Sequence, residues 1–266
     1  MTLRADVAGL LSADDLEGAQ KAAVAAVKAR PGDGEARMLL AELSVLAGDL
    51  ARAETHARLA ATAAPDRALG IGIFRQHLRG LHAREAWWAG GALPSFPGGP
   101  SAASTLALRL NVALGEGDGE AARAALDALD EARGEQPAAW DGEEATDLRD
   151  LDDRLPHALE AVTAGGAYLW LDLAAIARVR FEPARRPLDL ALRRARVALR
   201  DGSAADLLLP AIYPAPRSAA ERLGRVTVFE DLPGGLVAAR GQRSWLVGDR
   251  ARGIHEATEI VVGAAA

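Results

Sequence analysis

The chain repeats itself at a spacing of 34 residues near its amino terminus. Two segments of the form Asp-Leu-x-x-Ala, beginning at Asp15 and Asp49, each open a helical stretch that stops at a proline, Pro31 or Pro65. This period is typical of tetratricopeptide helical hairpins, in which small residues lie where two helices cross. Each aspartate predicts an amino-terminal helix cap, and each proline predicts a helix end.

Further helices fit around these two units. Residues 35–47 carry an amphipathic pattern and predict the helix between the marked segments. A degenerate third hairpin is expected over 105–114 and 121–132, after an intervening helix at 67–89 that breaks the register. We therefore predict an all-α, tetratricopeptide-like domain over residues 1–136.

From Pro137 onward the pattern changes to short strands separated by turns. Strand-like segments occur at residues 168–170, 178–181, 194–200, 206–209, 225–229, 236–239, 244–247 and 259–262. One helix, at about 154–164, is expected before the first of them, ended by Gly165-Gly166. The predicted second domain, 137–266, is a smaller β-rich α+β domain with antiparallel strands, so the fold class is α+β.

Composition and charge exclude several classes of function. The chain contains no cysteine, which excludes disulfides, thiolate metal sites and cysteine nucleophiles. The net charge of −6 gives no general attraction to nucleic acid or to an anionic membrane. Neither a signal peptide nor a membrane-spanning apolar run is recognisable, which predicts a cytoplasmic protein.

A search for chemistry yields no metal, cofactor or catalytic residue. The acidic residues around Asp150 and Asp152 lack the glycine turn and closing glutamate of a calcium loop. Because arginines such as Arg154 are interleaved with them, we expect a structural ion-pair network that also includes Glu160. No serine lies in a nucleophile motif, but triads are assembled in space, so an enzyme with a small-molecule site in the α+β domain stays an alternative.

Alternating arginines are the most unusual feature of the second half. Arg178 and Arg180, like Arg194 and Arg196, alternate with apolar residues, which places the arginines on one face of their strands. Such a face can grip an acidic protein partner, pair with the acidic 141–153 stretch of the same domain, or bind nucleic acid. The acidic balance of the chain disfavours the last.

Two adjacent tryptophans offer a second candidate surface. Trp87 and Trp88 lie at the end of the intervening helix, and tryptophans often anchor partners at interfaces. The alternative is that both residues seal the repeat domain against the second domain.

Several short segments of the second half resemble one family in their order and spacing. The run Asp150-Leu151-Asp152-Asp153-Arg154-Leu155 with Leu159-Glu160 matches the Asp-x-Asp-x-Arg-Leu…Leu-Glu segment of the ImpE (also SciE or TagJ) family. The matches continue through Tyr168-Leu169-Trp170, Phe181-Glu182-Pro183, Leu188-Asp189-Leu190, Leu208 to Pro214, and Gly241-Gln242-Arg243. Leu192 and Arg194 replace the tryptophan and proline usual in the family.

Membership of that family implies an accessory protein of a bacterial type VI secretion system. The resemblance implies a cytoplasmic adaptor that binds the small (TssB-like) subunit of the contractile sheath. The resemblance also implies that, in some systems, such a protein assists the ClpV-type AAA+ ATPase in sheath recycling. The resemblance assigns no catalytic residue to this chain. A helical-repeat scaffold for another complex is the remaining alternative.

Overall fold

The computed structural model describes residues 2–263, and its first half is helical. The helices are α1 (Leu3–Ser12), α2 (Leu16–Ala29), α3 (Gly34–Leu46), α4 (Leu50–Ala63), α5 (Ala68–Trp88), α6 (Ala102–Glu116) and α7 (Gly119–Arg133). Asp15 and Asp49 accept the backbone N–H three residues later at 2.7 and 2.9 Å, as expected of caps. Ala19 and Ala53 are fully buried where helices cross. The predicted helical repeats are confirmed.

The second half is rich in antiparallel strands, which confirms the predicted α+β class. An eight-stranded sheet has the order β2-β1-β13-β6-β7-β8-β4-β5. Its strands are β1 (Ala138–Trp140), β2 (Glu143–Ala145), β4 (Ala158–Val162), β5 (Tyr168–Asp172), β6 (Ile176–Phe181), β7 (Leu192–Leu199), β8 (Ala204–Pro210) and β13 (Glu259–Val262). Every pairing in it is antiparallel.

Two smaller sheets and two short helices complete this half. One sheet has the order β12-β11-β3 and the other pairs β10 with β9. Their strands are β3 (Leu148–Asp150), β9 (Thr227–Leu232), β10 (Leu236–Gly241), β11 (Ser244–Val247) and β12 (Arg250–Gly253), and the helices are α8 (Leu188–Ala191) and α9 (Ala219–Arg222).

The expected helix over 154–164 is wrong. Its apolar core is strand β4, which pairs with β5 along its length and meets β8 at Val162. Gly166, with φ +81°, turns the chain between β4 and β5 rather than ending a helix. All five residues of β4 are buried. A short apolar run fits a buried helix or a buried strand equally well, and the pairing with β5 and β8 decided between them.

Helix α5 joins the two halves. Leu78 and Leu81 of α5 belong to the same apolar cluster as Val162 of β4 and Leu208 of β8. Gly80 allows this close approach, since a Cβ atom there would lie 2.4 Å from Cγ1 of Val162. Within residues 2–263, no helix is both long and apolar enough to cross a bilayer.

Candidate binding cleft

A cleft of about 380 Å³ opens where the helical half meets the strand-rich half. Helices α3, α4 and α5 form one side, and the segment from α8 to α9 forms the other. Its apolar walls include Val45, Leu46, Leu50, Leu81, Leu192 and Ile212. This volume lies in the range of roughly 300–1,000 Å³ common for ligand pockets.

The polar groups of the cleft continue into a buried ion-pair network. Arg84 of α5 donates from Nε and Nη2 to the two carboxylate oxygens of Glu160, at 2.8 and 2.9 Å. Trp88 donates from its indole nitrogen to the same carboxylate at 3.0 Å. Arg154 stacks over the Trp88 ring at 4.6 Å and grips Asp152 through Nε and Nη2, at 2.8 and 2.5 Å.

Arg243 lies at the centre of this network. Its guanidinium bonds Asp150 at 2.5 Å and also contacts Glu160, and all three side chains are buried. Tyr213 donates its hydroxyl to Asp150 at 2.5 Å, and Tyr168 donates to Glu160 at 2.5 Å. Three carboxylates therefore balance three guanidinium groups, which is what buried charges require.

The network shifts the proton affinities of its carboxylates in opposite directions. Burial would raise the pKa of Glu160, but the guanidinium groups of Arg84 and Arg243 outweigh it and hold that pKa at about 2. Burial raises the pKa of Asp150 to about 6, because Arg243 compensates only in part and Asp152 adds repulsion. Of these two carboxylates, Glu160 is the firmly ionised one and Asp150 gains a proton more readily.

All four residues expected to form a structural network, Asp150, Asp152, Arg154 and Glu160, lie within these contacts. Sequence reasoning missed Arg243 and Tyr213 as members, although both lie in segments that carry the family resemblance. Arg84 is 76 residues from its partner Glu160, and nothing in its local sequence marks it.

One further arginine lies at the cleft without a carboxylate partner among residues 2–263. Arg222 of α9 donates from Nη1 to the backbone carbonyl of Ala47 at 2.7 Å, beyond the end of α3. Gly48 makes room for it, since a Cβ atom there would lie 2.7 Å from that nitrogen. The contact ties the two halves together across the cleft.

The arginine face forms as the alternation predicts. Arg180 lies opposite Arg196 in the β6–β7 register, and Arg178 and Arg194 share their face. Their acidic neighbours are not in the 141–153 stretch. Arg178 and Arg180 both pair with Glu259, while Arg196 pairs with Asp206 and Arg194 approaches Asp189. The nearby Arg193 points to the core side, over the Phe181 ring at 4.9 Å.

The two tryptophans have different surroundings. Trp87 is buried and packs edge-on against Trp170 of β5, with ring centroids 5.0 Å apart. Trp88 is half-buried and lines the cleft. Trp87 therefore joins the helical half to the sheet, and of the two residues Trp88 is the accessible one.

A serine, a histidine and an aspartate also meet outside the cleft. Ser104 donates to Asp172 at 2.8 Å, and His157 Nε2 lies 3.2 Å from the serine oxygen and 3.4 Å from the carboxylate. In a catalytic triad the acid holds the other ring nitrogen. Here both partners share Nε2, Nδ1 has no partner within the described chain, and the serine is buried. These contacts join α6 to the sheet.

Metal-binding groupings are likewise absent from residues 2–263: no cluster of three or more potential ligand side chains occurs there. Asp150 and Asp152 are buried in ion pairs and do not line the cleft, whereas Arg154 does.

Helical repeats packed on a strand-rich half define an α+β helical-repeat protein. The family model described as "ImpE protein" matches residues 142–261. The type VI secretion system accessory component TagJ of Pseudomonas aeruginosa is 29% identical over 232 residues, covering 84% of this chain and 80% of that protein. These two matches confirm the resemblance to the ImpE family that the sequence predicts.

The fold recurs in a solved structure. The crystal structure of a protein from Vibrio parahaemolyticus superposes with a TM-score of 0.89 over 97% of both chains, at 23% identity. The helical half, which lies outside the matched family segment, is therefore part of the shared fold.

Proposed function

We propose that this chain is an accessory component of a type VI secretion system that binds the small subunit of the contractile sheath through a helical segment. The proposal extends to this chain the description of its Pseudomonas relative, an accessory component of that system. The sheath subunit as partner is the expectation that the family resemblance carries. The chain would do this work in the cytoplasm.

The observation that carries the proposal is the cleft between the repeats and the strand-rich half. Stacked helical hairpins present grooves in which a partner segment can lie, and an apolar groove suits the apolar face of an amphipathic helix. Helices α3 and α5 supply apolar and aromatic side chains here, and the network beneath holds Arg84 and Trp88 in place. The cleft is therefore a preformed surface.

A ClpV-type ATPase is a second proposed partner, and the arginine face is its candidate surface. Among the described residues, Glu259 is the one carboxylate that pairs with both Arg178 and Arg180, so that pair keeps excess positive charge. An acidic patch on a partner could pair with these exposed guanidinium groups.

Calorimetric titration of the full chain with the sheath small subunit, and with a peptide of its amino-terminal helix, tests the main proposal. We expect saturable binding of both. Ala89→Trp, which places a large side chain at an exposed position lining the cleft, should abolish binding, and Arg196→Gln on the arginine face should leave it intact. The proposal would be refuted if the chain bound neither the sheath small subunit nor the peptide.

A further inference from the structure

The charged residues that line the cleft indicate which kind of ligand it can bind. Among the residues that line it are three arginines, Arg84, Arg154 and Arg222, and one carboxylate, Glu85. Glu85 is exposed and lies 3.5 Å from His82 on its own helix. The walls between these groups are apolar, so a ligand here meets a low-polarity surface with cationic groups at defined points.

Two of these arginines are immobilised by the buried network. Arg84 and Arg154 each donate hydrogen bonds from Nε and Nη2 to one carboxylate. Within residues 2–263, no acceptor bonds to Nη1 of either arginine. Their side chains are 13% and 19% exposed, so they contribute fixed donors at the floor rather than a mobile charge.

Arg222 differs because no carboxylate within residues 2–263 neutralises it. Its hydrogen bond to the Ala47 carbonyl orients the guanidinium and, among the described residues, leaves Nε and Nη2 for another acceptor. An oriented guanidinium presents a rigid fork that matches a carboxylate. A carboxylate that leaves water for an apolar cleft needs such a partner, since an unpaired buried charge is costly.

We propose that the cleft binds an amphipathic segment of a protein partner in which a carboxylate, held by Arg222, adjoins apolar side chains that enter the cleft beside α3 and α5. This deepens the proposed function and rests on it only for the identity of the partner. Arg222 is then the specificity-determining residue. It pairs with an acidic side chain of the ligand, whereas a neutral analogue would leave the guanidinium unpaired and bind more weakly.

The test uses a random phage-displayed library of 12-residue peptides, selected on the full chain. The selected peptides should place Asp or Glu beside Leu, Ile or Phe. With a fluorescent selected peptide, Arg222→Gln should raise Kd about tenfold, in line with the loss of a charged hydrogen bond. Neutralising the peptide carboxylate should raise Kd by a similar factor. When both changes are made, the increase in Kd should be far smaller than the product of the two separate increases.

Arg196→Gln is the matched control, since it also removes one positive charge but lies outside the cleft. Its Kd should equal that of the unchanged protein, and melting curves should establish that each variant is folded. Selection of peptides without an acidic residue, selection of none, or strictly additive effects would overturn the inference. If free octanoate bound as tightly as the selected peptide, the inference would also be overturned, because the cleft would then be a site for small molecules.

The two proposals fail separately. If acidic peptides bind and the sheath small subunit does not, the proposed function falls and this inference stands. If the sheath subunit binds Arg222→Gln as tightly as the unchanged chain but does not bind Ala89→Trp, the inference falls and the proposed function stands.

Discussion

Replacement of Arg243 by methionine probes the core of the strand-rich half. The side chain is buried and holds Asp150 and Glu160 at once, while Arg84 still binds Glu160 in its absence. Asp150 would retain only the hydroxyl of Tyr213 and a backbone N–H as partners. Breaking a buried ion pair from one side costs about 3–5 kcal/mol, so we expect that loss in the free energy of unfolding at pH 8.

The cost should shrink on acidification, because Asp150 can become neutral. Its pKa is already raised to about 6 in the folded chain, and loss of Arg243 raises it further. A carboxyl whose pKa is higher folded than unfolded takes up a proton on folding, so stability increases as the pH falls toward the unfolded value of about 4. The recovery is at most about 1.4 kcal/mol per pH unit.

Urea denaturation at pH 8 and at pH 5.5 measures both effects through the midpoint and the slope. Arg196→Met, which removes an exposed arginine paired with an exposed aspartate, is the control and should change stability by less than about 0.5 kcal/mol. A cost for Arg243→Met below about 1 kcal/mol, or a cost that does not fall between the two pH values, would refute the reasoning.

Three further predictions concern stability. The pKa of Glu160 is about 2 when folded, so this carboxylate stabilises the fold above its unfolded pKa of about 4.5 and the effect is lost as the pH falls toward 2. Glu160→Gln should therefore lower the melting temperature at pH 6 far more than at pH 3; an equal drop at both would contradict this. Gly80→Ala should destabilise the fold by about 1–3 kcal/mol, because the new methyl group would overlap Val162. Gly70→Ala on the same helix is the control and should not destabilise the fold, because a Cβ atom at residue 70 would have no neighbour within 4 Å. Asp49→Ala should cost about 1 kcal/mol in urea titration by removing the cap of α4, and an unchanged midpoint would exclude a capping role.

Local pattern explains most of what could be predicted about the site. Asp152 and Arg154 lie two positions apart in the chain, so their pairing was readable from the local sequence. The arginines of β6 and β7 follow the two-residue period of a strand, which sets their common face without knowledge of the partner strand. Their acceptors Glu259 and Asp206 depend on which strands are neighbours, and the acidic stretch expected to pair with them lies elsewhere.

The amino-acid sequence by itself determined the helical hairpins, their caps and the antiparallel character of the second half, because each was predicted from residues close together in the chain, such as a cap or a turn between short strands. Tertiary structure decided that residues 158–162 form a strand, that Arg84 and Arg243 hold Glu160, and that a cleft opens beside Arg222. The contacts of Arg84, Arg243 and Arg222 join residues separated by 76 to 175 positions in the chain. The 34-residue repeat thus predicts helices that can form a groove, and packing against the strand-rich half determines which side chains line it.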